Sequence, residues 1–144
     1  MKLDFKKAFK AAKMPALALI ATTVIKFVLV AFGIGVSDLI SLPIQFAILA
    51  YAGYSGVKAF KLDLANGALA GAIASFLSMI FTVFVSFAQY FSGILVPPAL
   101  SAQTGMSSWT IMIFLLAGSL GMLIFSPVIG IVFGAIGAYV AKKY

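Results

Sequence analysis

Four long apolar runs separated by short polar connections make up most of the chain, at about residues 14–36, 39–57, 64–96 and 108–141. Their hydrophobic positions do not alternate with a period of two, so they read as helices and not as the strands of a β-barrel. Each approaches or exceeds the ~20 residues that a helix needs to cross a hydrocarbon core. The punctuation agrees with this division. Pro15 and Pro43 stand in first turns, where a missing N–H costs nothing. Asp63 or Asn66 is a good N-cap for the third run, and Pro97-Pro98 stops it. The polar stretch 101–108 forms the longest loop, and Lys142, Lys143 and Tyr144 close the chain. The predicted fold is all-α, a single-domain four-helix transmembrane bundle.

An amphipathic helix is predicted ahead of the first span, over about residues 2–13. At about 100° per residue, Phe5, Ala8, Phe9 and Ala12 share one face while Lys2, Lys6, Lys7, Lys10 and Lys13 take the other. Such a segment lies in the membrane interface, with its lysines on anionic headgroups. The apolar run behind it is longer than a signal peptide's core, so it reads as a retained span.

Charge adds orientation. Nine of the ten lysines lie at span ends, and all nine fall on the side shared by the N-terminus, the 58–61 connection and the C-terminus. The opposite side carries only Asp38. The positive-inside rule then places both termini in the cytoplasm, in the cell membrane. Tyr51, Tyr54 and Tyr139 toward the inner face, with Tyr90 and Trp109 toward the outer, fit interfacial belts.

Composition narrows the chemistry. The chain is 64% hydrophobic and 9% charged, whereas soluble domains average roughly 45–50% and 25%. It contains no Cys, His, Glu or Arg, which removes thiol and imidazole chemistry and the usual metal ligands. Its three aspartates all lie near span ends, so no membrane-depth acid is available for proton relay or general acid–base work. The expectation is a protein that is not an enzyme and has no cofactor or metal. Its basic charge suits anionic lipid and not nucleic acid.

Small residues mark where helices approach. The fourth span carries Ser126, Gly130, Gly134 and Ala138 at four-residue steps, the third has Gly67, Gly71 and Ser75, and the second has Gly53 and Gly56. These ridges predict tight packing in the inner half of the bundle, either within the chain or against a second subunit. The outer halves should be splayed and filled by Phe76, Phe81, Phe84, Phe87 and Phe91. Spans three and four would each be roughly 50 Å long as straight helices, against a core of ~30 Å, so tilt, projection or a kink at Pro127 must absorb the excess. Pro43, Gly53 and Lys58 also recur as Pro127, Gly137 and Lys142, at a constant offset of 84.

One lysine breaks the pattern. Lys26 falls near the middle of the first span, where an ammonium costs ~2.5–3.5 kcal/mol on insertion scales. Candidate polar neighbours at comparable depth are Thr22, Thr23, Ser78 and Thr82, with Gln45 and Gln89 nearer the outer side. Lys26 either snorkels to headgroups, pairs with another subunit's carboxylate, or lines a polar cavity. The leading expectation is a non-catalytic packing, assembly or accessory subunit whose partner is itself or another membrane protein. The alternative is a small oligomeric channel or permease with Lys26 facing the pathway, and a holin-like membrane perturbation comes third.

Overall fold

The computed structural model describes residues 3–32, 34, 38–91 and 107–144. Four helices make up almost all of this: α1 (Phe5–Ala31), α2 (Asp38–Phe60), α3 (Leu64–Phe91) and α4 (Ser108–Lys143). All four are long and apolar enough to cross a membrane. Residues 92–96, expected at the end of the third span, and the 101–106 part of the long loop lie outside the described residues, as does Lys2.

The helix ends follow local chemistry. Asp4 Oδ1 accepts from the Lys7 N–H at 3.1 Å, and Asp63 Oδ1 accepts from the Asn66 N–H at 2.8 Å, so α1 and α3 have matching aspartate N-caps. Ser107 caps α4 by accepting from the Thr110 N–H at 3.2 Å. The turn from α2 to α3 is tight enough to hold Lys61 at a φ of 52°, and Leu62 N–H returns to the Gly56 carbonyl at 3.1 Å. Asn66 then ties the two caps together: its Oδ1 accepts from the Asp4 N–H at 2.7 Å, and its amide donates to Asp63 Oδ1 at 2.8 Å.

The expected interfacial helix over residues 2–13 is corrected by this arrangement. That segment and the first span form one 27-residue helix that passes through Pro15. Ala8, Ala11, Ala12, Ala16 and Leu19 are all buried in one stripe along α1. The stripe holds the segment against the bundle, and continuous burial across Pro15 outweighs the one backbone hydrogen bond that the proline removes. Phe5 and Phe9 flank the stripe and remain exposed.

α3 and α4 share the most extensive contact, and α2 and α3 each touch all the other helices. α1 and α4 barely meet, so they occupy opposite corners. No large side chain among the described residues is completely buried, and the core is mainly alanine with Leu19, Leu49 and Leu62. Small side chains bring backbones together. A methyl group built on Gly130 would lie 2.5 Å from the Gly71 carbonyl oxygen, and one on Gly67 would lie 2.6 Å from Ala138 Cβ. Methyls on Gly53 and Gly137 would collide with the carbonyls of Gly134 and Ala50. These last two contacts are reciprocal under the offset of 84, since residue 50 corresponds to 134 and residue 53 to 137. The α2–α4 crossing therefore has local two-fold character.

The other end is looser. Methyls on Gly118 and Gly121 would meet nothing within 4 Å. Phe76 and Phe84, expected to fill this half, are 40% and 69% exposed and point outward. Phe81 and Phe87 are half-buried, and the Phe91 side chain lies outside the described residues. Phenylalanine is too wide for helices held this close by glycine at their other end, so part of the set is displaced to the periphery.

Candidate functional site

Lys26 continues the buried face of α1. It stands about two turns beyond Leu19, and the helical period that points Ala8, Ala12 and Leu19 inward also points Lys26 inward. It is half-buried there and lines a cavity of about 330 Å³ between the four helices.

Each helix contributes two turns to the wall. The lining runs from Leu19 to Lys26 on α1, from Leu49 back to Leu42 on α2, from Ser75 to Thr82 on α3, and from Ile129 back to Met122 on α4. This register follows from the up-down-up-down course of the chain. Leu19, Leu49, Ser75 and Ile129 form the floor. Lys26, Leu42, Thr82 and Met122 stand about 10 Å away, at the other end. Leu19 and Leu49 are each 4% exposed and belong to the alanine core beneath, so the floor is sealed. Phe46 closes the side between α2 and α4 by stacking on Phe133, with ring centroids 4.2 Å apart.

The hydrogen bonds divide the polar groups into two sets. Thr22 and Thr23 both donate to the Leu19 carbonyl, at 2.7 and 3.1 Å. Thr82 donates to the Ser78 carbonyl at 3.0 Å, and Ser75 donates across the α3–α4 seam to the Ser126 carbonyl at 2.7 Å. Their protons are committed to backbone. The Ser126 hydroxyl differs: it is buried and has no hydrogen-bond partner among the described residues, and its residue lines the cavity. An orphaned buried hydroxyl is costly unless something fills the space beside it. With Gln45 and Ser78 also in the wall, and no acidic side chain among the described lining residues, one end of the cavity is polar and carries the Lys26 ammonium.

Of the polar residues singled out from sequence, Lys26, Thr23, Ser78, Thr82 and Gln45 come together here. Thr22 points elsewhere and bonds only its own helix. Gln89 lies on the last turns of α3, and its side chain is outside the described residues. Ser126, Gly130, Gly134 and Ala138 are all buried along one face of α4, opposite Gly67 and Gly71. Among the predicted headgroup lysines, Lys7 pairs with Asp4 at 3.6 Å, while Lys6, Lys10 and Lys13 are exposed. Sequence reasoning placed Ser75 and Ser126 in packing ridges and missed that Ser126 also lines the cavity, as Ser75 does. The signal was present in Ser126 at the residue before Pro127, about one turn from Met122.

Among the described residues, no group of three or more potential ligand side chains is placed to hold a metal ion. No family model matches the chain, and no curated protein or solved structure matches it.

Proposed function

We propose that this is a multi-pass membrane protein that binds a small anion in the cavity beside Lys26 and passes it across the bilayer, as a small channel or permease. The observation that carries this reading is the convergence of Lys26, Gln45, Ser78 and the orphaned Ser126 hydroxyl on one cavity whose described lining residues include no acid. An ammonium in a low-dielectric setting attracts an anion far more strongly than it would in water. A hydroxyl in need of a partner supplies a second contact. With nine lysines on the side of both termini, the positive-inside rule puts those termini in the cytoplasm and turns the Lys26 end of the cavity outward. Passage then requires the Leu19–Leu49 floor to part.

The test is anion efflux from proteoliposomes loaded in turn with chloride, nitrate, acetate or phosphate. At least one anion should move faster than in protein-free vesicles. Lys26→Met should cut that flux on the order of a hundredfold, and Lys26→Arg should retain part of it. Flux indifferent to Lys26→Met, or absent for all four anions, would sink the reading.

The accessory reading keeps one supporting observation. Ile113, Phe114, Ile124 and Phe125 on the outer half of α4 are all at least 60% exposed, beside glycines with open space around them. A partner helix packing there would make Gly121→Leu change the mass of the purified particle. A particle of unchanged mass would count against it.

A further inference from the structure

A second concavity, of about 800 Å³, lies near the N-terminal end of α1, where that helix meets α3 and Pro127 of α4. Its walls are apolar, from Phe5, Phe9, Phe76, Leu77 and Pro127, and its rim carries Lys6, Lys10 and Lys13. Steps of four and three residues put these lysines on one face of α1, in a row about 10 Å long. Among the described residues, no acid lines the groove. Lys7, one residue from Lys6, turns to Asp4. An apolar trough edged by three cations matches an amphiphile with a negative head. A second copy of this chain is a poor occupant, because it would bring the same lysines on a molecule of net charge +7.

We propose that this groove holds one phospholipid with an anionic headgroup. Its phosphate lies along Lys6, Lys10 and Lys13, and an acyl chain lies against Phe76, Leu77 and Pro127. The site needs only that the helices stand in a membrane, and it is independent of what the Lys26 cavity binds. Pro127 lies one residue from Ser126 of that cavity, so an occupied groove braces the α4 segment that forms the cavity wall.

The test uses the full chain in neutral detergent and a phosphatidylglycerol labelled on one acyl chain. Unlabelled phosphatidylglycerol should displace the probe at least tenfold better than phosphatidylcholine, and inorganic phosphate should not displace it. Each lysine near anionic lipid contributes roughly a fivefold factor, so the triple variant Lys6→Gln, Lys10→Gln, Lys13→Gln should bind on the order of a hundredfold more weakly. All three side chains are exposed, so the fold is retained. The control triple Lys58→Gln, Lys142→Gln, Lys143→Gln removes equal charge elsewhere and should bind normally. Phe9→Ala, also at an exposed position, should weaken binding by shortening the apolar wall. Equal losses in the two triples would show diffuse attraction, equal displacement by phosphatidylcholine would show a purely apolar trough, and displacement by phosphate would show a free-anion site. Each of these results overturns the proposal.

Discussion

Gly130→Ala is the most direct test of how the half of the bundle that holds both termini is packed. The added methyl would lie 2.5 Å from the Gly71 carbonyl oxygen and 2.8 Å from Ala72 Cα, whereas ordinary contact begins at 3.4 Å. Both obstacles are backbone, so no side chain can swing aside and α3 must move away from α4 by about 0.9 Å, the difference between 3.4 and 2.5. One turn along the same seam, Ser75 Oγ donates to the Ser126 carbonyl at 2.7 Å. The same displacement would carry that bond to about 3.6 Å, beyond useful hydrogen-bond length. Overpacking costs about 1–3 kcal/mol, and a lost interhelical hydrogen bond in a membrane adds roughly 0.6–1 kcal/mol. The expected destabilisation is therefore about 2–4 kcal/mol. Reversible unfolding in mixed micelles measures it, with Gly118→Ala and Gly121→Ala as controls. Those sites are open, and replacing glycine there should leave stability unchanged or raise it by up to about 1 kcal/mol. In a Ser75→Ala background, Gly130→Ala should cost less by the value of the hydrogen bond. A Gly130→Ala protein within about 0.5 kcal/mol of the parent would refute the close-backbone account of the seam.

Three further outcomes follow from the same contacts. Gly53→Ala and Gly137→Ala should destabilise by similar amounts of at least ~1 kcal/mol and be strongly non-additive in a double-mutant cycle, because either methyl already forces the α2–α4 crossing apart. Ser126→Ala removes an unpartnered buried hydroxyl, so unfolding should show stability unchanged or up to about 1 kcal/mol higher, while anion affinity falls in equilibrium binding. Asn66→Ala deletes the link between the two aspartate caps and should cost roughly 2 kcal/mol, visible as faster amide hydrogen exchange over residues 5–12 than over the rest of α1.

The helices were legible because lysine, proline and aspartate punctuate runs that have no other interruption. The continuity of α1 was not. Pro15 is equally at home in a first turn and inside a helix with tertiary support, and Ala8 and Ala12 fit a lipid-facing stripe as well as a buried one. Only the partner helix distinguishes them. The cavity was legible in part. Lys26 stood out because charge is scarce, and the polar residues at matching depth could be counted off from the span ends. What sequence could not give is rotation: Thr22 and Thr23 are adjacent, yet only Thr23 meets the cavity. The stack of Phe46 on Phe133 and the sealing of the floor by two leucines depend on a register that no single helix encodes.

The contrast between the two halves of α4 gives the molecule a mechanical character. From Gly130 to Ala138 the helix is clamped against its neighbours, and beyond Ser126 it extends as a more exposed arm, past the open Gly121 and Gly118, with Ile111 buried near its end. From Gly130 to Trp109 the arm is about 32 Å long, so a tilt of only about 5° at the clamp swings its tip by about 3 Å. Met122, at the cavity's rim, moves by about 1 Å with it. Bilayers of different hydrocarbon thickness impose different tilts on a helix this long. On the proposed function, lipid thickness would act on the opening beside Lys26 through a lever whose fulcrum is a row of glycines.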